Sequence, residues 1–115
     1  MQTIRDWQTE VHRLAREKGW HPPEIDPRDP NRALALLMLI TTELAEAAED
    51  IRDGYWTPAK ECDTGKPVGV PSEIADAAIR ILDACEAWGI DLQAAIEEKH
   101  AYNMTRPHRH GGKLV

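Results

Sequence analysis

Phenylalanine is missing from this chain of 115 residues, and all aromatics together make up 5% of it. Strand-like alternation of Val, Ile and Thr is missing too, while alanine and aliphatic residues abound, so the composition predicts an all-α protein. Cysteine occurs twice, and Cys62 and Cys85 lie too far apart for a CxxC pair or a zinc-ligand spacing. They read as two reduced thiols, with Cys85 in the core. Basic residues are outnumbered, 14 Lys and Arg against 20 Asp and Glu, for a net charge of −6. That balance excludes a general nucleic-acid-polymer or anionic-membrane binder, which needs an extended basic face. No apolar run approaches the ~20 residues of a membrane span, and the first residues lack a basic segment followed by a long apolar one. The expectation is one soluble, cytoplasmic domain, small enough for an oligomer interface to add stability.

Ile4, Trp7, Val11 and Leu14 recur at helical spacing, which predicts a first helix from residue 2 to about 18, stopped by Gly19. The stretch from His21 to Pro30 holds four prolines and makes a stiff connector. Asp29 and Pro30 are an N-cap and first-turn proline for a second helix running to about Asp53. Its first half, Ala33 to Ile40, is apolar all round and must be covered on more than one face, so helix two is expected to contribute to an oligomer interface. Residues 54 to 71 carry too many Gly and Pro for a helix and read as a long loop. Ser72 caps a third helix through Trp88, and Asp91 caps a fourth to about Met104. Residues 1–104 thus form the helical domain, and 105–115 a basic tail.

The most informative stretch is Thr42-Glu43-Leu44-Ala45-Glu46-Ala47-Ala48-Glu49-Asp50-Ile51, because Ser72-Glu73-Ile74-Ala75-Asp76-Ala77-Ala78-Ile79-Arg80-Ile81 repeats it thirty positions later. At about 100° per residue, Glu43 and Glu46 share one stripe and Leu44, Ala48 and Ile51 another. Glu73 and Asp76 stand in the same phase against Ile74, Ala78 and Ile81. The apolar stripes are expected to face the core, and the shared alanines to let the two helices approach until four carboxylates crowd together. An acidic pair on one helix is usually a solvated face; two copies phased alike favour a hard-cation site for Mg²⁺, with Mn²⁺ as a substitute.

Lys99 and Asn103 share a face of the fourth helix, with Arg106 just beyond it. A solvated helix end is the plain reading, but beside a carboxylate–metal site these three suit the free oxygens of a polyphosphate. Glu97-x-x-His100 matches half of a di-iron carboxylate motif and lacks its second copy. His108-x-His110 sits in the tail, where metal binding is the weaker reading. Of the four tryptophans, Trp88 is expected in the core, whereas Trp20 and Trp56 stand at loop boundaries where either could stack on a base.

Glu43-x-x-Glu46, a gap of 26 residues, then Glu73-x-x-Asp76 resembles the signature of the MazG-like, all-α nucleoside triphosphate pyrophosphohydrolases. Gly65-Lys66-Pro67-Val68-Gly69-Val70-Pro71-Ser72-Glu73, Lys99-x-x-x-Asn103-x-x-Arg106-Pro107-x-x-His110-Gly111 and Lys18-Gly19-Trp20 are similar to stretches of small members of that superfamily. The resemblance implies a four-helix MazG-like bundle assembled as a homodimer or homotetramer, with Mg²⁺ on Glu43, Glu46, Glu73 and Asp76. It implies cleavage of a nucleoside triphosphate between the α and β phosphates. Within that frame Glu46 is the candidate general base, and Lys99, Asn103 and Arg106 contact the phosphates, the last from the basic tail. Trp20, His21, Asn31 and Trp7 are base-pocket candidates by position. The rival expectation is a non-catalytic helical module that binds nucleotides or a protein.

Overall fold

Local capping chemistry sets the helix boundaries. Thr3 and Asp6 form a reciprocal capping box at the start of α1 (Ile4–Glu17): the Asp6 amide donates to Thr3 Oγ1 and the Thr3 amide to the Asp6 carboxylate. Asp29 accepts from the Arg32 amide and Pro30 occupies the first turn of α2 (Pro30–Arg52). After α3 (Val70–Trp88), Asp91 accepts from the Ala94 amide to open α4 (Leu92–Met104). A short α5 (Arg109–Gly112) ends the chain. The computed structural model describes residues 1–115, the side chain of His110 excepted.

The long loop after α2 carries a two-residue antiparallel hairpin, β1 (Ala59–Lys60) paired with β2 (Pro67–Val68). It delivers the chain to α3 through Gly69, not Ser72. Gly69 is the N-cap, with φ of 98°, and α3 begins at Val70, three residues earlier than the Ser72 cap implies. A Cβ at position 69 would stand 3.1 Å from the Thr57 carbonyl oxygen and 3.2 Å from that of Tyr55. Only glycine fits there. Ser72 instead donates its hydroxyl to the Pro67 carbonyl, tying the first turn back to β2.

α3 is the central element, packed against α2 on one side and α1 on the other, while α4 meets α1. The described chain is therefore all-α but open. Its radius of gyration is 16.8 Å, against ~13 Å for a compact domain of this length. α2 packs on α3, and of the shared alanines only Ala47 and Ala77 are buried, each 3% exposed; Ala45, Ala48, Ala75 and Ala78 are exposed.

The apolar stripes do not follow expectation. Leu44, Ala48, Ile51, Ile74, Ala78 and Ile81 are exposed, whereas Glu43 is buried. Ala47, Ala77 and Glu43 are buried and Glu73 is half-buried, while Glu46 and Asp76 stay exposed; Glu43 finds a cationic partner in its buried place. The apolar stripes are left on the outside. Ala33 to Ile40 is likewise open, with Leu34 63% and Met38 61% exposed. Cys85 is buried as expected; Trp88 is half-buried and donates its indole N–H to the Pro27 carbonyl, anchoring the connector. No helix is long and apolar enough to cross a membrane.

Candidate carboxylate site and adjoining cavity

Glu43 on α2 and Glu73 and Asp76 on α3 each bring one carboxylate oxygen within 4.8 Å of the other two. The helix phase does this: Glu43 lies one turn before the buried Ala47 and Asp76 beside the buried Ala77, so the acids meet next to the enclosed alanines. Burial, then a hydrogen bond with Glu46 and the charges of Glu46, Asp76 and Asp50, pushes the Glu73 carboxyl up to about 7. Of the four acids expected to crowd together, Glu46 is the one that stays outside: it is exposed and acts on the group only through its influence on Glu73. Asp50 belongs to the group's electrostatics as well, a residue whose i+4 spacing from Glu46 placed it on that stripe in plain sight.

The structure adds an unforeseen cation. Arg80 Nε donates to Glu43 Oε1 at 2.8 Å, with the Glu43 side chain 10% exposed and that of Arg80 41%. Arg80 stands one turn after Asp76, so the acid repeat carries its own counter-charge. The pair leaves Glu43 Oε2 for other ligands.

Beside the acids opens a cavity of about 370 Å³, within the size range of small-ligand sites. Its charged and polar lining is Glu43, Asp76, Arg80, Asp83, Lys18, His21 and Arg32, and its apolar lining Val11, Leu14, Ala15, Trp20, Leu36, Leu39 and Ile79. Two of the four base-pocket candidates, Trp20 and His21, therefore share a cavity with the carboxylates. Asn31 is exposed and, like Trp7, is not among its lining residues. Sequence reasoning passed over Lys18 and Arg32 as functional groups; Arg32 donates to the Trp20 carbonyl at 2.8 Å and fixes that turn. No family model, no curated protein and no solved structure matches this chain.

The proposed phosphate clamp lies elsewhere in the single chain. Lys99 Nζ sits 5.4 Å and the Arg106 guanidinium 5.9 Å from the Tyr102 ring centre, and the faces of α4 carrying Lys99 and Asn103 are exposed. Among the described residues, neither cation forms an ion pair with the carboxylates. Glu97 accepts from Gln93 and takes no part in a paired metal motif.

Proposed function

We propose that the chain is a Mg²⁺-dependent nucleotide pyrophosphohydrolase. It cleaves a (deoxy)nucleoside triphosphate between the α and β phosphates, yielding monophosphate and pyrophosphate, and so cleans the cytoplasmic nucleotide pool. The observation that carries this reading is the meeting of Glu43, Glu73 and Asp76 from two helices beside a cavity of nucleotide-holding size. Oxygen-only donors fit Mg²⁺, with Mn²⁺ as a substitute, and burial first, then the neighbouring acids, raise the Glu73 carboxyl. A divalent ion held there would supply Lewis acidity towards the phosphate oxygens and the attacking water.

The chain's own groups supply the rest. Glu46, whose charge reaches Glu73, is assigned to orient the water and take its proton. Lys99, Asn103 and Arg106 are assigned to phosphate oxygens on the strength of their motif, and Lys18 and Arg32 add cations in the cavity itself. Trp20 presents a ring for base stacking and His21 a polar edge. The open apolar faces of α2 and α3 support a homodimer or homotetramer, since patches of this kind mark association surfaces.

Incubation with a panel of NTPs and dNTPs plus Mg²⁺ tests the proposal: pyrophosphate release is expected, and no product, or orthophosphate alone, ends it. Asp76→Asn should abolish turnover with the helical circular dichroism intact. One observation favours a non-catalytic binding module instead, namely that Arg80 already neutralises Glu43. Binding of a non-hydrolysable triphosphate that does not depend on Mg²⁺, without turnover of any natural one, is the result that module predicts.

A further inference from the structure

Two helical turns along α3 from Asp76, about 10 Å by helix rise, a second cluster forms from residues outside the acid repeat. His12 of α1, His21 at the head of the proline-rich connector and Asp83 of α3 converge. His12 Nδ1 lies 2.8 Å from Asp83 Oδ1, and His21 Nε2 lies 2.8 Å from both Asp83 oxygens. The imidazole centres are 4.7 Å apart with planes tilted 54°. All three side chains are largely sheltered, at 17%, 11% and 17% exposure. One donor atom from each lies within 4.8 Å of the others.

We propose that His12, His21 and Asp83 bind a first-row divalent transition metal, zinc foremost, at a site separate from the carboxylate group. Two imidazole nitrogens and one carboxylate oxygen are a borderline-soft donor set that suits zinc and disfavours Mg²⁺, whereas Glu43, Glu73 and Asp76 offer oxygen alone. Zinc bonds of roughly 2.0–2.2 Å in tetrahedral geometry put ligand atoms ~3.3 Å apart. The present 2.8 Å contacts need to spread by about half an ångström, a torsional adjustment of side chains rather than a rebuilt backbone. An open depression lined by His12, His21, Arg16 and Glu86 gives an ion its way in. Glu86, which accepts from Gln8, lies on the same depression outside the converging trio, so the fourth position of a tetrahedral ion would be left to water.

The metal would join α1, the connector and α3 at one point, and so hold Trp20 and His21 at the cavity wall. Without an ion, each histidine can donate one N–H to Asp83 and the cluster is satisfied by hydrogen bonds alone. The two arrangements differ in where the protons sit. Hydrogen bonding keeps them on His12 Nδ1 and His21 Nε2; metal ligation displaces both and leaves His12 Nε2 and His21 Nδ1 protonated.

Long-range ¹H–¹⁵N NMR of the full chain decides between them, with zinc titrated to one equivalent against excess Mg²⁺. The expected result is a metal-bound shift at His12 Nδ1 and His21 Nε2, with His100, His108 and His110 unmoved. Unmoved His12 and His21 resonances, whether zinc stays free or goes to the tail histidines or the acids, overturn the proposal. Asp83→Asn and His12→Gln should each weaken zinc binding by at least ~100-fold against a chromophoric chelator, since even supporting groups behind a ligand are worth 10–100-fold. Unchanged affinity in a folded variant also overturns it. The NMR arm needs no variant to fold, and neither arm needs turnover, so the outcome is independent of the proposed hydrolase activity.

Discussion

Replacing Arg80 by methionine asks whether the acid cluster depends on its internal cation. The wild-type contact is 2.8 Å from Arg80 Nε to Glu43 Oε1, with Glu43 nearly enclosed and Arg80 open to solvent on one side. Unit charges at ~4 Å attract by roughly 4 kcal/mol at an effective dielectric near 20. Solvation of the half-exposed guanidinium offsets part of that. Removing the cation also leaves a buried carboxylate without its partner beside Glu73 and Asp76. The net loss should fall between the ~1 kcal/mol of an exposed pair and the ~3–5 kcal/mol of a broken buried one, so about 2 kcal/mol is expected. Urea unfolding in EDTA, at wild-type and Arg80→Met, measures it. Repeating both in saturating Mg²⁺ should shrink the difference below about 1 kcal/mol, because an ion held by the same acids takes over the neutralising charge. An Arg80→Gln, Glu43→Gln double-mutant cycle isolates the pair itself. A loss of the same size with and without Mg²⁺, or a negligible loss in EDTA, would refute the reasoning.

Three further predictions follow from other parts of the structure. Folded Glu73 keeps its proton up to about 7, while an unfolded glutamate releases it near 4.5. The folded state therefore binds the extra proton between those values, and stability in EDTA should decline as pH rises from about 4.5 to about 7, then level off. Solvent access to the cluster limits the drop to about 1 kcal/mol; denaturant midpoints across that window check it, and rising stability there would contradict the cluster. Gly69→Ala should cost about 2 kcal/mol or more in thermal unfolding, because φ of 98° and two backbone oxygens near 3 Å oppose any Cβ. Met38→Lys with Leu34→Glu, placing charge on the open face of α2, should convert the assembly to monomers in sedimentation velocity at unchanged helicity; a wild-type chain that sediments as a monomer removes this surface from the proposed assembly.

Caps were the most legible part of the fold. Asp29, Pro30 and Asp91 declared two helix starts from chemistry that acts within four residues, and the structure places them there. The start of α3 was not legible in the same way, because it depends on the carbonyl oxygens of Tyr55 and Thr57, at the other end of the same loop, closing over Gly69. Helical periodicity grouped Glu43, Glu46, Glu73 and Asp76, of which Glu46 stays exposed and the other three converge, and it misjudged where the stripe of Leu44, Ala48 and Ile51 and its repeat lie. Period alone separates two faces, and it does not say which is buried when a buried acid finds an arginine. Trp20 and His21 shared the cavity because the connector folds back over α1 and α3. His12, His21 and Asp83 carried no local signal at all; residues far apart in sequence converge there only once α1 has docked on α3. The assignment of Lys99, Asn103 and Arg106 depends on assembly or on ligand, neither of which spacing within one helix encodes.

The buried alanines of the packed helices α2 and α3 have a consequence for ion choice. Ala47 and Ala77 touch no ion, yet they act as a gauge block that fixes how far apart two rails of oxygen donors stand. Helix axes spaced by small side chains lie near the lower end of the ~8–10 Å packing range, and metal–ligand distances tolerate only ~0.2 Å. Mg²⁺ asks for oxygens at ~2.1 Å and Ca²⁺ for ~2.3–2.6 Å. Enlarging either alanine by two methyl groups would widen the gauge by more than that difference, so under the proposed function two residues with no chemistry of their own would set which cation the carboxylates prefer.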